Sequence, residues 1–321
     1  MQQDFTYAVA RVRYRETQLL NGADLDSLLS AKDTEAVMRI LRDKGWGDNT
    51  DPAPDQLISV EEKKLWDFVG ETIPDLSVLD FLRVPDDFHN IKAAVKCITR
   101  DIDPDGLFLY NTVCDPDKLY DCIKKREYGD LPDYIADTAR EAMTVLLQTS
   151  DGQLCDVIVD KACMERVYEL GKLSDSDIIR LYCELFVAAA DIKTAVRCAK
   201  TGKKPDFIRR AMAACDSLDV DRLSSAAYEG YEAVISYLSS TRYRSAVEAL
   251  NTSMSAFEKW CDDYMTAAMK PQKWEPFGIG AIVAYIIARQ NEIKAVRMIL
   301  SAKVSGLSEQ TIKERLRDMY V

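Results

Sequence analysis

One histidine, His89, stands in a chain of 321 residues, and no two of its nine cysteines are spaced C-x-x-C. The first scarcity leaves a Ser-His-Asp or Cys-His nucleophile system with a single imidazole to use, and no nucleophile motif accompanies it. The second leaves zinc-ribbon and thioredoxin-like readings without support. No G-x-x-x-x-G-K-[ST] run occurs, so no P-loop is expected. The longest apolar stretch, FGIGAIVAYIIA at 277–288, has 12 residues and ends at Arg289. A membrane span needs about 20, so this stretch reads as a buried helix. The first residues, MQQDFTYAVARVRYRE, contain no apolar segment of a secretory signal. Alternating β patterns of useful length are absent as well, which points to an all-α fold.

The composition is that of a globular chain: 47% hydrophobic and 30% charged residues. The formal net charge is −11. Such a surface is repelled by phosphate backbones and anionic lipid, so nucleic acid is not an expected partner, and basic patches on protein partners are. The odd number of cysteines fits reduced thiols in a cytosolic chain, most of them small core residues.

What the sequence has is a repeat. Residues 91–115 read IKAAVKCITRDIDPDGLFLYNTVCD, and residues 192–216 read IKTAVRCAKTGKKPDFIRRAMAACD. Without gaps, the two share Ile91/Ile192, Lys92/Lys193, Ala94/Ala195, Val95/Val196, Cys97/Cys198, Pro104/Pro205, Asp105/Asp206, Cys114/Cys215 and Asp115/Asp216. A third, more diverged phrase begins at Ile293-Lys294, so the interval of 101 residues occurs twice. A second marker precedes a helical pattern in each third: Asp24-Leu-Asp26-Ser-Leu28, Asp115-Pro-Asp117-Lys-Leu119 and Asp219-Val-Asp221-Arg-Leu223. Aspartate there caps free N–H groups and favours the positive end of the helix dipole. A period near 100 is domain-sized, and the expected division is 1–104, 105–205 and 206–321. Pro104, Pro205 and Gly306 are expected to break the helix ahead of them.

Helical spacing runs through Phe5, Ala8, Val9, Val12, Glu16, Leu19 and Leu20, through 133–148 and 155–171, and through Ile282, Tyr285, Ile286, Ile293, Val296 and Leu300. Gly45-Trp46-Gly47, Asp51-Pro-Ala-Pro54, Asp130-Leu-Pro132, Lys204-Pro205 and Lys270-Pro271 punctuate it.

Several motifs stop short of a site. DIDPDG at 101–106 resembles the start of a calcium loop, but Thr112 stands where the bidentate glutamate is required. Gly278 and Gly280 make a G-x-G, with Val283 in place of the third glycine and no strand ahead of them. Asn251-Thr-Ser253 is a formal glycosylation sequon. Arg11 and Arg15 share a helix face while Arg13 turns away, as a solvated cluster or a contact to an acidic partner. On the Ile-Lys helices, Lys92 with Lys96 and Lys193 with Arg197 are like charges four apart. They are either solvated heads or a basic stripe facing an acidic partner.

Taken in order, Phe5-Thr-Tyr7-Ala-Val-Ala-Arg11-Val-Arg13 with Leu19-Leu20, then Asp87-Phe-His-Asn90-Ile91-Lys92, then Ala284-Tyr285, Glu292-Ile293, Arg297, Lys303, Gly306-Leu307, Ile312 and Leu316 resemble one family. It is the C subunit of bacterial and archaeal V-type (A-type) ATP synthases, similar to the d subunit of eukaryotic V-ATPases. The resemblance spans essentially the whole chain. It departs at Gly280-Ala281, where members often carry Glu-Pro, and at Arg289-Gln290, where they often carry Lys-Glu.

The resemblance implies three similar helical domains arranged as a funnel about a pseudo-threefold axis. It implies a non-catalytic subunit seated on the membrane rotor ring at the cytoplasmic face. There it would receive the D and F subunits of the central stalk and couple them to the ring, for proton or sodium transport linked to ATP synthesis or hydrolysis. No cofactor and no metal are expected from the motifs above. Lys92, Lys96, Lys193, Arg197, Lys294 and Arg297 are the candidate contacts to stalk or ring. Two other classes stay open at this point: a cytosolic helical adaptor outside any rotary ATPase, and an enzyme using paired carboxylates in the acidic loops.

Overall fold

The computed structural model describes residues 5–47 and 52–321. Among them every regular element is helical, apart from one isolated bridge between Cys215 and Leu218. Among the described residues sixteen α-helices follow one another. They are α1 (Thr6–Glu16), α2 (Gly22–Ser30), α3 (Thr34–Asp43), α4 (Pro54–Thr72), α5 (Asp80–Arg100), α6 (Pro116–Lys125), α7 (Asp133–Thr149) and α8 (Gly152–Leu173). Then come α9 (Asp177–Thr201), α10 (Pro205–Arg210), α11 (Val220–Glu229), α12 (Tyr231–Ser239), α13 (Val247–Thr252), α14 (Met254–Met269), α15 (Ile279–Val304) and α16 (Glu309–Lys313). No described helix is long and apolar enough to cross a membrane. Most of the apolar run 277–288 lies in α15, where Ala281 to Ala288 are all buried. Asp51, in the punctuated stretch ahead of α4, lies outside the described residues.

The helices gather into two compact units. Unit 1 takes Met1–Leu76 and Glu248–Val321, so both ends of the chain build it; unit 2 takes Ser77–Val247. In unit 1, Leu20, Leu25 and Leu28 share a core with Ile293, Val296 and Ile299. In unit 2, α8 packs against α5, α7 and α9. Gly171 makes the last approach possible, because a Cβ there would stand 2.5 Å from Cys183 Cβ. The three isoleucines of the repeated phrase are all buried, Ile91 and Ile192 on long helices of unit 2 and Ile293 on the long α15 of unit 1.

The helix ends revise one expectation. The breaks are made by left-handed residues: Asp101 (φ 53°) after α5, Gly202 (φ 62°) after α9 and Gly306 (φ 66°) after α15. Each is followed by a bond running back around the last turn: Ile102 N–H to Cys97 O, Lys203 N–H to Cys198 O and Leu307 N–H to Ala302 O. This is the Schellman closure, which satisfies carbonyls the helix itself cannot. Pro104 lies beyond the break, and Pro205 opens α10, where its missing N–H costs nothing.

The aspartate marker also shifts. Asp115 and Asp219 do cap α6 and α11, accepting from Lys118 N–H and Arg222 N–H. In the first third the cap is Asn21, and Asp24 is its partner in a reciprocal capping box. Counted from the cap, Leu25, Leu119 and Leu223 therefore fall at the same buried position. Ser308 caps α16 through Thr311 N–H, as its spacing suggests.

Replacing Gly171 with alanine forces α8 away from Cys183 and is expected to lower stability by about 1–3 kcal/mol. Urea unfolding followed by circular dichroism measures it; an unchanged midpoint would show that the two helices part freely.

A basic cleft and a line of buried polar anchors

Each long helix carries a buried polar residue just before its Ile-Lys pair: Asn90 on α5, Asp191 on α9 and Glu292 on α15. A polar group inside a helical core must find hydrogen bonds, and all three find backbone. Asn90 Nδ2 donates to Leu109 O at 2.7 Å, and its Oδ1 accepts from Leu109 N–H at 2.9 Å. Asp191 accepts from Ala213 N–H at 3.2 Å, and Glu292 from Leu20 N–H at 2.7 Å. Other carboxylates add to the grip: Asp87 accepts from Val113 and Cys114, and Glu184 from Asp216 and Ser217. Within three residues ahead of each cap, at Asn21, Asp115 and Asp219, a loop is thus tied to a long helix. Burial raises the pKa of three acids on these helices. Asp87 is pushed up to about 6 and Asp191 to about 7, and Glu292 is raised as well, all with desolvation as the leading cause.

In unit 1, Glu292 belongs to a larger buried knot. Arg289 binds both Glu292, at 2.6 Å, and Glu61 of α4. Its guanidinium lies 4.3 Å from the centre of the Trp46 ring. Glu61 also accepts from Gly47 N–H at 2.7 Å and from Lys64 at 2.8 Å. Burial works against the charge on Arg289, but the two carboxylates outweigh it and raise its pKa. Nearby, Lys303 donates to Leu29 O and Ala31 O, placing a cation at the negative end of α2. The arginines of α1 are not a solvated cluster. Arg11 and Arg15 both stand over the Phe68 ring, and Arg13 bonds Glu16 and two backbone carbonyls. The sequence signs of α1 missed this, because a charge that pairs at a distance of 60 to 262 residues leaves no local trace.

In unit 2, the face of α5 that carries Lys92 and Lys96 meets the face of α9 that carries Lys193 and Arg197. They line a cleft of about 1060 Å³ closed on its other side by α8. Arg100 and Lys203 reach the same space, so six basic side chains face it against two carboxylates, Asp156 and Asp160. Those carboxylates hold the α5 lysines: Lys92 to Asp160 at 2.6 Å and Lys96 to Asp156 at 2.5 Å. Arg197 is exposed. The lining is net basic in a chain whose total is −11. The floor is apolar, with Cys97, Cys163, Phe186 and Cys198. Burial raises the thiols of Cys163, to about 12, and Cys198, so they stay protonated and poorly nucleophilic. The remaining two candidates lie in unit 1: Lys294 stands 3.9 Å from Asp262, and Arg297 pairs with Glu62 at 2.8 Å. His89 is exposed and contacts Leu107 O.

A long helix paired with an anchored loop and a capped helix recurs three times, and one sequence match spans nearly the whole chain. The profile of the ATP synthase (C/AC39) subunit family fits residues 8–315. The chain belongs to this family. Among its relatives is the C subunit of the V-type sodium ATPase of Enterococcus hirae, 21% identical over 96% of this chain and 97% of the relative. The C subunit of the V-type ATP synthase of Thermus thermophilus is 23% identical over 98% and 99%. That of the A-type ATP synthase of Methanocaldococcus jannaschii is 21% identical over 97% and 86%. Members of the family are non-catalytic subunits of a rotary ATPase or ATP synthase, which removes the reading of the acidic loops as an enzyme site.

Two substitutions test the buried groups. Asp191 holds its proton far above the ordinary carboxylate range, so it contributes stability below about pH 4 that is lost as pH rises through about 7. Asp191→Asn, the solution already present at Asn90, should gain on the wild type across that interval and level off above it. Urea midpoints at several pH values measure the difference; a constant difference would defeat the assignment. Arg289→Leu leaves buried Glu292 without a cation and Glu61 with Lys64 alone, and should cost about 3–5 kcal/mol. Adding Glu61→Gln and Glu292→Gln should recover most of that loss in the same assay.

Proposed function

We propose that the chain is the central-stalk subunit of its rotary ATPase, a socket that joins the D and F subunits of the stalk to the membrane rotor ring on the cytoplasmic side. In this reading it transmits torque for proton or sodium transport linked to ATP synthesis or hydrolysis. The observation that carries it is the cleft of unit 2. Matched positions of two repeat helices, Lys92 with Lys193 and Lys96 with Arg197, converge on one space and make it basic in an acidic chain. A basic, apolar-floored cleft suits the end of an acidic helix, since complementary charge guides docking and rejects wrong partners. Lys294 and Arg297 extend the proposed contacts into unit 1. The division of the chain into copies at 1–104, 105–205 and 206–321, set about a common pseudo-threefold axis, belongs to the same proposal. Three similar helix ends around one axis would grip a rod and stand on a ring of many identical subunits.

Solubilised membranes test it. The tagged chain should bring down stalk and ring subunits together, and Lys193→Glu with Arg197→Glu should release the stalk subunits at lower salt. Retention with an unchanged salt dependence would remove the cleft from the stalk contact. Recovery of the chain without any ATPase subunit would return it to the class of free adaptors.

A further inference from the structure

Of the three buried anchors, Asn90 and Glu292 are compensated and Asp191 is not. Asn90 carries no charge and makes two bonds to Leu109. Glu292 is paired with Arg289. Asp191 is fully buried, accepts from Ala213 N–H at 3.2 Å, and leaves its Oδ2 without a hydrogen-bond partner. The core around Ala213 is apolar, with Met164, Val187, Phe186 and Ala190. Among the described residues, Lys161 of α8 is the one cation that acts on Asp191, and Lys161 itself stands 3.8 Å from Glu165. Cys215, just past Ala213, is the titratable neighbour; burial first, then Glu184 and Asp191, push its thiol up to about 11. The helices α10 and α11, also packed on α9, add no charge that acts on Asp191.

The stretch that Asp191 holds lies between two fixed points. Left-handed Gly202 (φ 62°) closes α9 at one end, and Ser217 N–H is held by Glu184 at 2.8 Å at the other. Between them run the short α10 and Ala213, and Phe207 and Ala211 of this stretch line the basic cleft. We propose that Asp191 is a proton-controlled latch on this wall of the cleft. With a proton on Oδ2 the side chain is neutral and keeps Ala213 against α9. When the proton leaves, a lone charge with one backbone bond remains in an apolar core. That favours a state in which 203–215 lifts and water reaches the carboxylate. The folded pKa, about 7, lies above the ordinary 3.8, so the hold is strongest at low pH and weakens as pH rises to about 7. The latch goes beyond the socket reading above, since it belongs to the chain whatever docks in the cleft.

Hydrogen exchange of the isolated full chain, read as protection of Ala213 N–H and of the amides of α10, tests the proposal. In the wild type, protection should fall roughly tenfold per pH unit between about pH 5 and 6 and level off above about 7. Asp191→Asn should remove that slope. Lys161→Met, which takes away the one cation acting on Asp191 from a half-exposed position, should move the levelling-off to higher pH. That variant and the wild-type series decide the matter even where Asp191→Asn fails to fold. Protection that does not change with pH, a slope that Asp191→Asn retains, or a levelling-off that Lys161→Met leaves in place would each overturn the latch. None of these readouts depends on stalk or ring subunits, so they stand apart from the pull-down.

Discussion

A polar group in the middle of a buried helix must be met by a partner, and on the three long repeat helices that partner is the backbone of a loop. Asn90, Asp191 and Glu292 occupy matching places on α5, α9 and α15. Each holds a segment that leads toward a capped helix with a buried leucine at a fixed distance from its cap. The bond does two things at once. It gives the buried side chain a backbone partner, and it sets where the next helix begins. In unit 1 the loop so held is at Leu20, so the last long helix of the chain anchors the entry to one of its first helices. Both chain ends are thereby joined in one compact unit.

The same helices separate charge by face. Their inner faces carry isoleucine, alanine and cysteine, and their outer faces carry lysine and arginine. On α5 and α9 the outer faces converge on the cleft of unit 2, where six basic side chains stand against Asp156 and Asp160. On α15 the cations are met by Asp262 and Glu62 within unit 1. Deeper still, Arg289 is held by two buried carboxylates and an indole face. Such a knot is weak as a source of net stability and strict about geometry, because removing one partner leaves the others uncompensated. It ties α4, the segment at Trp46 and α15 together without relying on the apolar core alone.

Membership of a family of non-catalytic subunits gives these features their meaning. The raised acids sit on backbone N–H groups, the raised thiols line an apolar floor, and the single histidine is at the surface. None of them has the poised pair of groups that proton transfer needs. What the chain presents instead is a basic, concave cleft on helices fixed by internal anchors.

The all-helical fold, the repeat and the family were written in the sequence, because apolar spacing and a 101-residue interval are properties of the chain alone. The positions of Ile91, Ile192 and Ile293 in the core were legible for the same reason. Other features were decided only by tertiary structure. Local pattern placed the first helix cap at Asp24, but the chain folds with Asn21 there, since the reciprocal bonds of a capping box depend on where the preceding loop is held. It placed helix breaks at Pro104, Pro205 and Gly306, whereas left-handed Asp101 and Gly202 make the first two earlier and Gly306 makes the third as expected. It left Arg11, Arg13 and Arg15 as a surface cluster, while Phe68, Glu71 and the carbonyls near Trp274 claim them from far along the chain. Spacing tells which residues share a face; which charge meets that face depends on long-range packing, and that information exists only once the helices are in contact.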